Sequence, residues 1–263
     1  MQPKTEELLN LLLWSADRLF RPTFRNLTDS YEGWVYRNGF SRQVHELEKR
    51  HLLESARSKS GQRLYRLTEE GRLRALGGRD PAAAWTRSWD GKWRLALFDV
   101  PTEQHVQRNR LRRYLRARGF GCLQGSVWVT PHPMELERDA LAGERVDVKS
   151  LLLMEARPCS GEQDCEIVAG AWDFKEINRR YARHLEILDK RPVERLDERV
   201  AARALQRWAA EERESWHFAL HVDPLLPKKL LPETYLGCQA WQRRVEILGR
   251  ANEQVKTFSP SMC

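Results

Sequence analysis

The chain has 263 residues, of which 31% are charged and 41% are hydrophobic. This length exceeds that of most single domains, and no apolar run approaches the roughly 18 residues that a membrane helix needs. The first residues lack the cationic and apolar regions of a signal peptide. We therefore expect two or three small domains in a cytoplasmic protein with no membrane partner.

Charge and cysteine content narrow the class of protein further. The net charge is +8, and arginine, which binds phosphate in a planar and bidentate way, greatly outnumbers lysine. The five cysteines form no C-x-x-C pair, so neither a disulfide framework nor a zinc ribbon is indicated. An anionic partner such as nucleic acid suits this composition.

The first 78 residues show the element order of a winged helix-turn-helix. Two amphipathic helical patterns precede a third helix at about residues 41–50. Strand patterns at 52–58 and 62–67 then flank a basic tip, and Thr68 begins another short helix that runs through Leu76. A hairpin directly after a basic third helix is typical of a winged helix. In an alternative assignment, the turn before the third helix lies at Gly33, and Gly39 lies inside a longer third helix. The sequence does not decide between the two assignments.

Basic side chains concentrate in this region, with ten basic and five acidic residues between Arg37 and Arg74. A third helix of this kind enters the major groove, where Arg reads guanine and Gln reads adenine, while the wing grips phosphate. The residues that we expect to contact DNA are Arg37, Ser41, Arg42, Gln43, His45, Lys49, Arg57, Lys59 and Arg63.

Residues 79–90 are predicted to form a linker, and residues 91–170 a central domain. The pattern in the central domain is a strand at 93–101, a helix at 104–119 capped by Gly119, and a strand region at 120–131. A helix at 133–143, a strand at 150–157 and a further strand at 166–170 follow. This alternation predicts a small ferredoxin-like α+β sandwich.

The remaining residues, 171–250, have helical periodicity and are predicted to form an α-helical C-terminal domain, with a loose tail at 251–263. Four tryptophans in this part could line a pocket for a flat ring. They are Trp172, Trp208, Trp216 and Trp241.

The predicted helix at 104–119 is unusually basic. It contains six arginines, and residues 104–134 include no acidic residue. Such a field could hold DNA phosphates, the phosphates of a nucleotide-like effector or an acidic face of another subunit, or it could be a solvated helix face. These alternatives stay open on the sequence alone.

The sequence contains few residues in patterns that indicate a catalytic site. Asp99 ends the first strand of the central domain, where a carboxylate could hold Mg²⁺, but a single carboxylate is a weak metal site. No catalytic triad is recognisable by spacing. We therefore expect neither an enzyme nor a bound cofactor or metal.

Several blocks of the sequence resemble one family. These are residues 93–101 (WRLALFDVP), 110–115 (RLRRYL), 119–121 (GFG), 126–131 (SVWVTP), 171–173 (AWD) with Tyr181, 223–227 (DPLLP) and 230–232 (LLP) with Gly237. The chain is similar over nearly its whole length to the PaaX-type repressors of phenylacetate catabolism. It departs from their pattern at Trp216-His217, where the family usually has Tyr-Arg.

The resemblance implies a multidomain α+β protein that is a ligand-responsive repressor. Its central domain would resemble the small CRISPR adaptation endonuclease subunit, and a homodimer would bind a palindromic double-stranded operator. An acyl-CoA or aryl-CoA thioester such as phenylacetyl-CoA would release it, and the candidate effector residues are Arg112, Arg116, Trp172, Trp216 and His217. The alternatives are a metal-dependent nuclease and a docking protein of a defence or mobile-element system.

Overall fold

A computed structural model of the chain describes residues 40–57, 63–76, 78–100, 102–134, 151–193 and 199–257. The chain divides into two compact units. The first unit comprises Met1–Asp80, Tyr181–Phe218 and Gly237–Cys263, and the second comprises Pro81–Arg180 and Ala219–Leu236.

Eight helices and six strands follow one another along the described residues. In chain order they are α1 (Phe40–Lys49), β1 (Leu53–Arg57), β2 (Arg63–Leu67), α2 (Glu69–Ala75), α3 (Pro81–Trp85), β3 (Trp93–Phe98), α4 (His105–Ala117), β4 (Gly121–Gln124), β5 (Val127–Thr130), β6 (Leu151–Ala156), α5 (Asp164–Ala171), α6 (Phe174–Asp189), α7 (Arg199–Val222) and α8 (Gly237–Thr257). Short 3-10 helices lie at Thr102–Gln104 and Lys228–Leu230. No helix among the described residues is long and apolar enough to cross a membrane.

The helix, the hairpin and the short helix predicted near the N-terminus are present as α1, β1–β2 and α2. Strands β1 and β2 pair antiparallel, with Leu53 opposite Leu67. The two helices predicted before α1 and the hairpin tip lie outside the described residues, as do Gly33 and Gly39, on which the two assignments of the third helix differ.

The second unit is built on a four-stranded antiparallel sheet in the order β4-β5-β3-β6. The first strand in sequence, β3, is therefore central and is followed by α4, which connects it to the edge strand β4. This order is typical of a ferredoxin-like domain and agrees with the predicted sandwich. The helix predicted at 133–143 lies almost wholly outside the described residues.

Strand β3 is packed on both of its faces. Ala96 and Phe98 point towards α4 and share a core with Leu111 and Leu115. Trp93 and Leu95 point to the opposite face, where α5 covers them. Side chains alternate across a strand, so the continuous apolar pattern of β3 reflects burial on two sides.

The strand region predicted at 120–131 consists of two strands, because Gly125, at φ +54°, turns the chain between β4 and β5. The strand predicted at 166–170 is wrong, because these residues belong to helix α5. A capping box between Gln163 and Glu166 begins this helix, and Val168 is its buried residue. A short apolar run cannot by itself distinguish a strand from a helix.

The segment predicted as a linker contains the short helix α3. Trp85 is buried there, and its ring meets that of Tyr235 edge-on with a centroid distance of 6.0 Å. The Tyr235 hydroxyl donates to Asp223, and the other carboxylate oxygen of Asp223 accepts the Leu225 N–H at 2.8 Å. The 223–227 motif thus anchors the loop that packs beneath α3.

Helices α6, α7 and α8 confirm the helical character of the C-terminal part. Ile187, Leu205, Trp208 and Ile247 belong to one buried cluster within the first unit. The prediction of a loose tail from residue 251 is wrong for its first half, because α8 continues to Thr257 and Ala251 is buried in this cluster.

Replacement of Gly121 by alanine should destabilise the second unit. The added Cβ would lie 2.6 Å from Cε2 of Trp172 and 2.7 Å from the carbonyl oxygen of Ala171. Overpacking of this kind costs about 1–3 kcal/mol, and we expect the upper end because one of the obstacles is backbone. Urea denaturation of the purified protein measures the change.

Gly125→Ala is the matched control in the same hairpin. Its added Cβ meets nothing within 4 Å, so only the positive φ opposes it, at a cost of roughly 1 kcal/mol. Equal losses for the two variants would contradict the close approach of Trp172 to β4.

Candidate functional site

Helix α1 has a buried side and an exposed basic side. Val44 and Leu47 are buried, whereas His45 and Lys49 are exposed. Arg42 precedes His45 by three residues, so the three basic positions follow one another along the helix surface at i, i+3 and i+7. The burial of Val44 and Leu47 therefore fixes which side of α1 faces solvent.

The hairpin is attached to the end of α1 through Thr68. Its hydroxyl donates to the carbonyl of His51 at 2.7 Å and accepts the Gly71 N–H at 3.0 Å, which caps α2. His51, at φ +56°, ends the helix, and the Leu52 N–H bonds to the Leu47 carbonyl at 2.9 Å. These bonds set the direction in which the hairpin leaves α1.

The end of the hairpin nearest its tip is also basic. Arg57 and Arg63 are directly opposite one another in the strand register. Like charges in this position destabilise a strand pair unless an anion offsets them. Of the nine predicted DNA contacts, seven lie on α1 or the hairpin strands, whereas Arg37 and Lys59 lie outside the described residues.

In the second unit, α4 carries arginines beside and opposite the leucines that it buries against the sheet. Leu111 and Leu115 are buried against the sheet, and Arg113 and Arg116 are exposed. The Arg116 guanidinium lies 5.4 Å from the centre of the Trp128 ring. Arg112 is half-buried, and its Nε has no hydrogen-bond partner among the described residues.

Trp172 lies on the other side of the same sheet. Its ring centre is 6.2 Å from that of Trp93, and Gly121 provides the space for it. The sheet therefore separates Trp172 from Arg112 and Arg116. These three candidate effector residues do not line one common surface of the second unit.

Trp216 is fully buried in the first unit, at the centre of a polar and aromatic cluster. The rings of His184 and Trp241 lie 5.2 and 5.5 Å from it, and the Arg244 guanidinium lies 5.0 Å away. Arg244 also donates to both carboxylate oxygens of Glu212, at 2.6 and 3.4 Å. His217, the neighbour of Trp216, is half-buried.

The buried Glu212–Arg244 pair was missed by sequence reasoning. The two residues are 32 positions apart on different helices, and many other charged residues surround them in sequence. Only the neighbouring Trp216, in the helical row of Glu212, signals an inward-facing side of α7. A buried charge pair is costly to break because the remaining partner stays desolvated.

Burial also alters the titration of His184. Desolvation, together with the positive charge of Arg244, lowers the pKa of His184 from 6.5 to about 3. The Glu212 carboxylate is 3.6 Å from Nε2 of His184, but its closer bonds go to Arg244. The imidazole is therefore neutral at physiological pH.

Asp99 is exposed at the end of β3. Among the described residues, no group of three His, Cys, Asp or Glu side chains could hold a metal ion. Cys122, Cys159, Cys165 and Cys238 are free thiols.

Comparison with known domains decides the family. Residues 86–168 match the PaaX protein central Cas2-like domain, and residues 172–259 match the PaaX-like protein C-terminal domain. The chain belongs to the PaaX family. The resemblance inferred from the sequence is confirmed, and the matched regions cover about two thirds of the chain. PaaX proteins are transcriptional regulators and not enzymes, which agrees with the prediction for this chain.

One solved structure has a similar fold along almost the entire chain. It is that of the uncharacterized protein Rv0674 from Mycobacterium tuberculosis, which is 19% identical in sequence with a TM-score of 0.60. The similarity covers 96% of this PaaX-family chain and 97% of the other. No curated protein sequence matches the chain.

The buried His184 should make the PaaX-family protein sensitive to acid. Its folded-state pKa lies below that of the unfolded chain, so between about pH 6.5 and 3 the unfolded state binds a proton that the folded state does not. The free energy of unfolding should therefore fall by about 1.4 kcal/mol per pH unit within this window. Urea denaturation at pH 7.0, 6.0 and 5.0 measures it.

His184→Leu should remove this contribution, because leucine does not titrate and can pack against the Trp216 ring. The control is His221→Gln on the exposed side of α7, which should keep the wild-type pH dependence. If His184→Leu and wild type lose stability in parallel as the pH falls, the buried neutral histidine is not the cause.

Proposed function

We propose that this transcriptional regulator binds double-stranded operator DNA through a winged helix formed by α1 and the β1–β2 hairpin. The observation that carries the proposal is the exposed basic side of α1, with His45 and Lys49 opposite the buried Val44 and Leu47. A helix of this kind can lie in the major groove and present Arg42 to base edges. Ser41 and Gln43 are neighbouring candidates.

The hairpin acts as the wing in this proposal. The opposed Arg57 and Arg63 would grip the phosphates that flank the helix, together with Lys59 at the tip and Arg37 before α1. Phosphate contacts position a protein without reading sequence, so the specificity would come from α1. The division of roles predicts different effects for substitutions on the two elements.

A homodimer would bind a palindromic operator with one winged helix on each half-site. Support for self-association comes from β6, which is an edge strand of the four-stranded sheet. Leu152 and Met154 remain 53% and 45% exposed on one face of this strand. An apolar edge strand is an unfavourable surface in water, and pairing with the same strand of a second copy would cover it.

The signal that releases the repressor from DNA is proposed to be an acyl-CoA or aryl-CoA thioester. The candidate contacts are Arg112, Arg116, Trp172, Trp216 and His217, with the two arginines for phosphate. They would not act as one site, because the sheet lies between Trp172 and the two arginines and Trp216 is fully buried. Trp172 is half-buried, and its Nε1 has no hydrogen-bond partner within the described part of the chain. Effector binding would favour a dimer geometry that misses the half-site spacing.

Arg42→Ala should weaken operator binding by about 1–3 kcal/mol, because a bidentate contact with guanine is lost. Fluorescence anisotropy with a labelled duplex from the protein's own promoter measures the affinity, and a scrambled duplex measures specificity. Arg50→Ala is the matched control, because the Arg50 guanidinium is already held by Glu46 at 2.6 Å. Equal affinity of the wild type for both duplexes would exclude a sequence-specific regulator of this promoter.

Phenylacetyl-CoA should release the wild-type protein from the labelled operator, whereas free coenzyme A should not. The reason is that free coenzyme A carries the phosphates but lacks the flat ring of the phenylacetyl group. Titration of a series of acyl-CoA thioesters into the preformed complex, followed by anisotropy, measures the release. Retention of the complex with every thioester would contradict this class of effector.

A further inference from the structure

The outer side of α4 carries a compact group of polar residues. Asn109, Arg112, Arg113 and Arg116 occur at i, i+3, i+4 and i+7, so they are neighbours on one side of the helix. Leu111 and Leu115 pack against the sheet, Arg112 is half-buried, and Arg116 lies over the buried Trp128 at the margin of the same core. We call these four residues the arginine face.

The three guanidinium groups of the arginine face have no acidic partner among the described residues. Arg113 donates to the backbone oxygen of Asn109 within its own helix, at 3.4 Å, and the Arg116 guanidinium lies 5.4 Å from the centre of the Trp128 ring. Nε of Arg112 is buried, and no hydrogen-bond partner for it occurs in the part of the chain that the structure describes.

On helices α6 and α8, by contrast, arginines form ion pairs with acidic side chains. On α6, Arg179 and Arg180 both pair with Glu176, at 2.6 and 2.8 Å. On α8, Arg243 pairs with both Asp189 and Glu246, at 3.2 and 3.0 Å. Arg112, Arg113 and Arg116 thus differ from Arg179, Arg180 and Arg243, each of which is held by an acidic side chain among the described residues.

The close spacing of like charges on the arginine face destabilises helix α4 in the absence of an anion. Arg112 and Arg116 are four residues apart, and Arg113 and Arg116 are three apart, so like charges repel along the helix surface. An external anion would convert this repulsion into attraction. Guanidinium groups match phosphate oxygens in a bidentate geometry, which makes phosphate a fitting partner.

The exposure of these residues favours an extended source of phosphate. Small ligands with several phosphates are bound in sites that cover most of their surface, whereas Asn109, Arg113 and Arg116 are exposed. An extended polyanion can contact several exposed guanidinium groups in succession.

We propose that the arginine face of α4 is a second DNA contact, which binds the phosphate backbone outside the sequence read by α1. This inference rests on the proposed function as an operator-binding protein. It adds a role for the Cas2-like domain of the second unit, to which the proposed function assigns no DNA contact. The contact is electrostatic and contributes affinity without sequence preference.

The salt dependence of operator binding tests the proposal. Each phosphate contact contributes about 0.9 to the slope of log affinity against log salt concentration. Arg113→Gln with Arg116→Gln should therefore lower the slope by about 1.8 on a duplex that extends well beyond the palindrome. The affinity lost between 50 and 200 mM salt should then be roughly tenfold smaller than for the wild type.

The control variant is Arg87→Gln with Arg157→Gln, which makes the same change in net charge at two exposed positions of the second unit away from α4. It should keep the wild-type slope. Arg113→Lys with Arg116→Lys retains the charge and should restore most of the slope, which separates a charge effect from a loss of the Arg116–Trp128 stacking. Thermal denaturation of all variants verifies that they are folded.

Three results would separate the hypotheses. If the wild type shows no preference for its operator at any salt concentration, the proposed function fails, and this inference fails with it. If the wild type binds specifically but the glutamine variant keeps the same slope, only the second contact is overturned. It is also overturned if the glutamine variant binds DNA normally and loses only its release by phenylacetyl-CoA, because the phosphate would then belong to the effector.

Discussion

The burial of strand β3 on both of its faces is the constraint on which the second unit depends. Ala96 and Phe98 pack under α4 on one face, and Trp93 packs under α5 on the other. The strand thereby fixes α4 with Leu111 and Leu115 inward and with Arg113 and Arg116 exposed. It also separates the arginines from Trp172, which lies on the opposite face. The position of each candidate ligand residue in this unit follows from the alternation of one strand.

Arginine has two roles in the described chain. Arg244 is buried and bound to Glu212, and Arg94 is buried and bound to Asp90, at 2.8 and 2.5 Å, so both are structural. Arg113 and Arg116 are exposed and lack an acidic partner. Buried and paired arginines stabilise the native packing, whereas exposed and unpaired ones are available to an anionic partner. The basic net charge therefore does not identify a binding surface until burial and pairing are known.

Local signals predicted the elements that carry their own stop and start residues. Thr68 begins α2 through its side chain, and Gly119, at φ +83°, follows the end of α4, both as expected. The errors fell where the local pattern was ambiguous. Residues 166–170 are largely apolar without a clear period, and residues 251–257 lack a strong hydrophobic pattern, yet both segments are helical, and Val168 and Ala251 are buried. Tertiary packing overrides weak local preference.

The sequence by itself determined the family, the α+β character of the central domain, the helical C-terminal part and the concentration of basic residues on α1 and α4. Motif residues and hydrophobic period are local properties, so they can be recognised without coordinates. Only the tertiary structure decided that Trp216 is enclosed with Glu212 and Arg244, and that Trp172 and Arg116 lie on opposite faces of a sheet. These contacts join residues that are distant in sequence. Whether a charged side chain is buried and paired or exposed depends on which residues the fold brings next to it, and a local sequence pattern does not specify them.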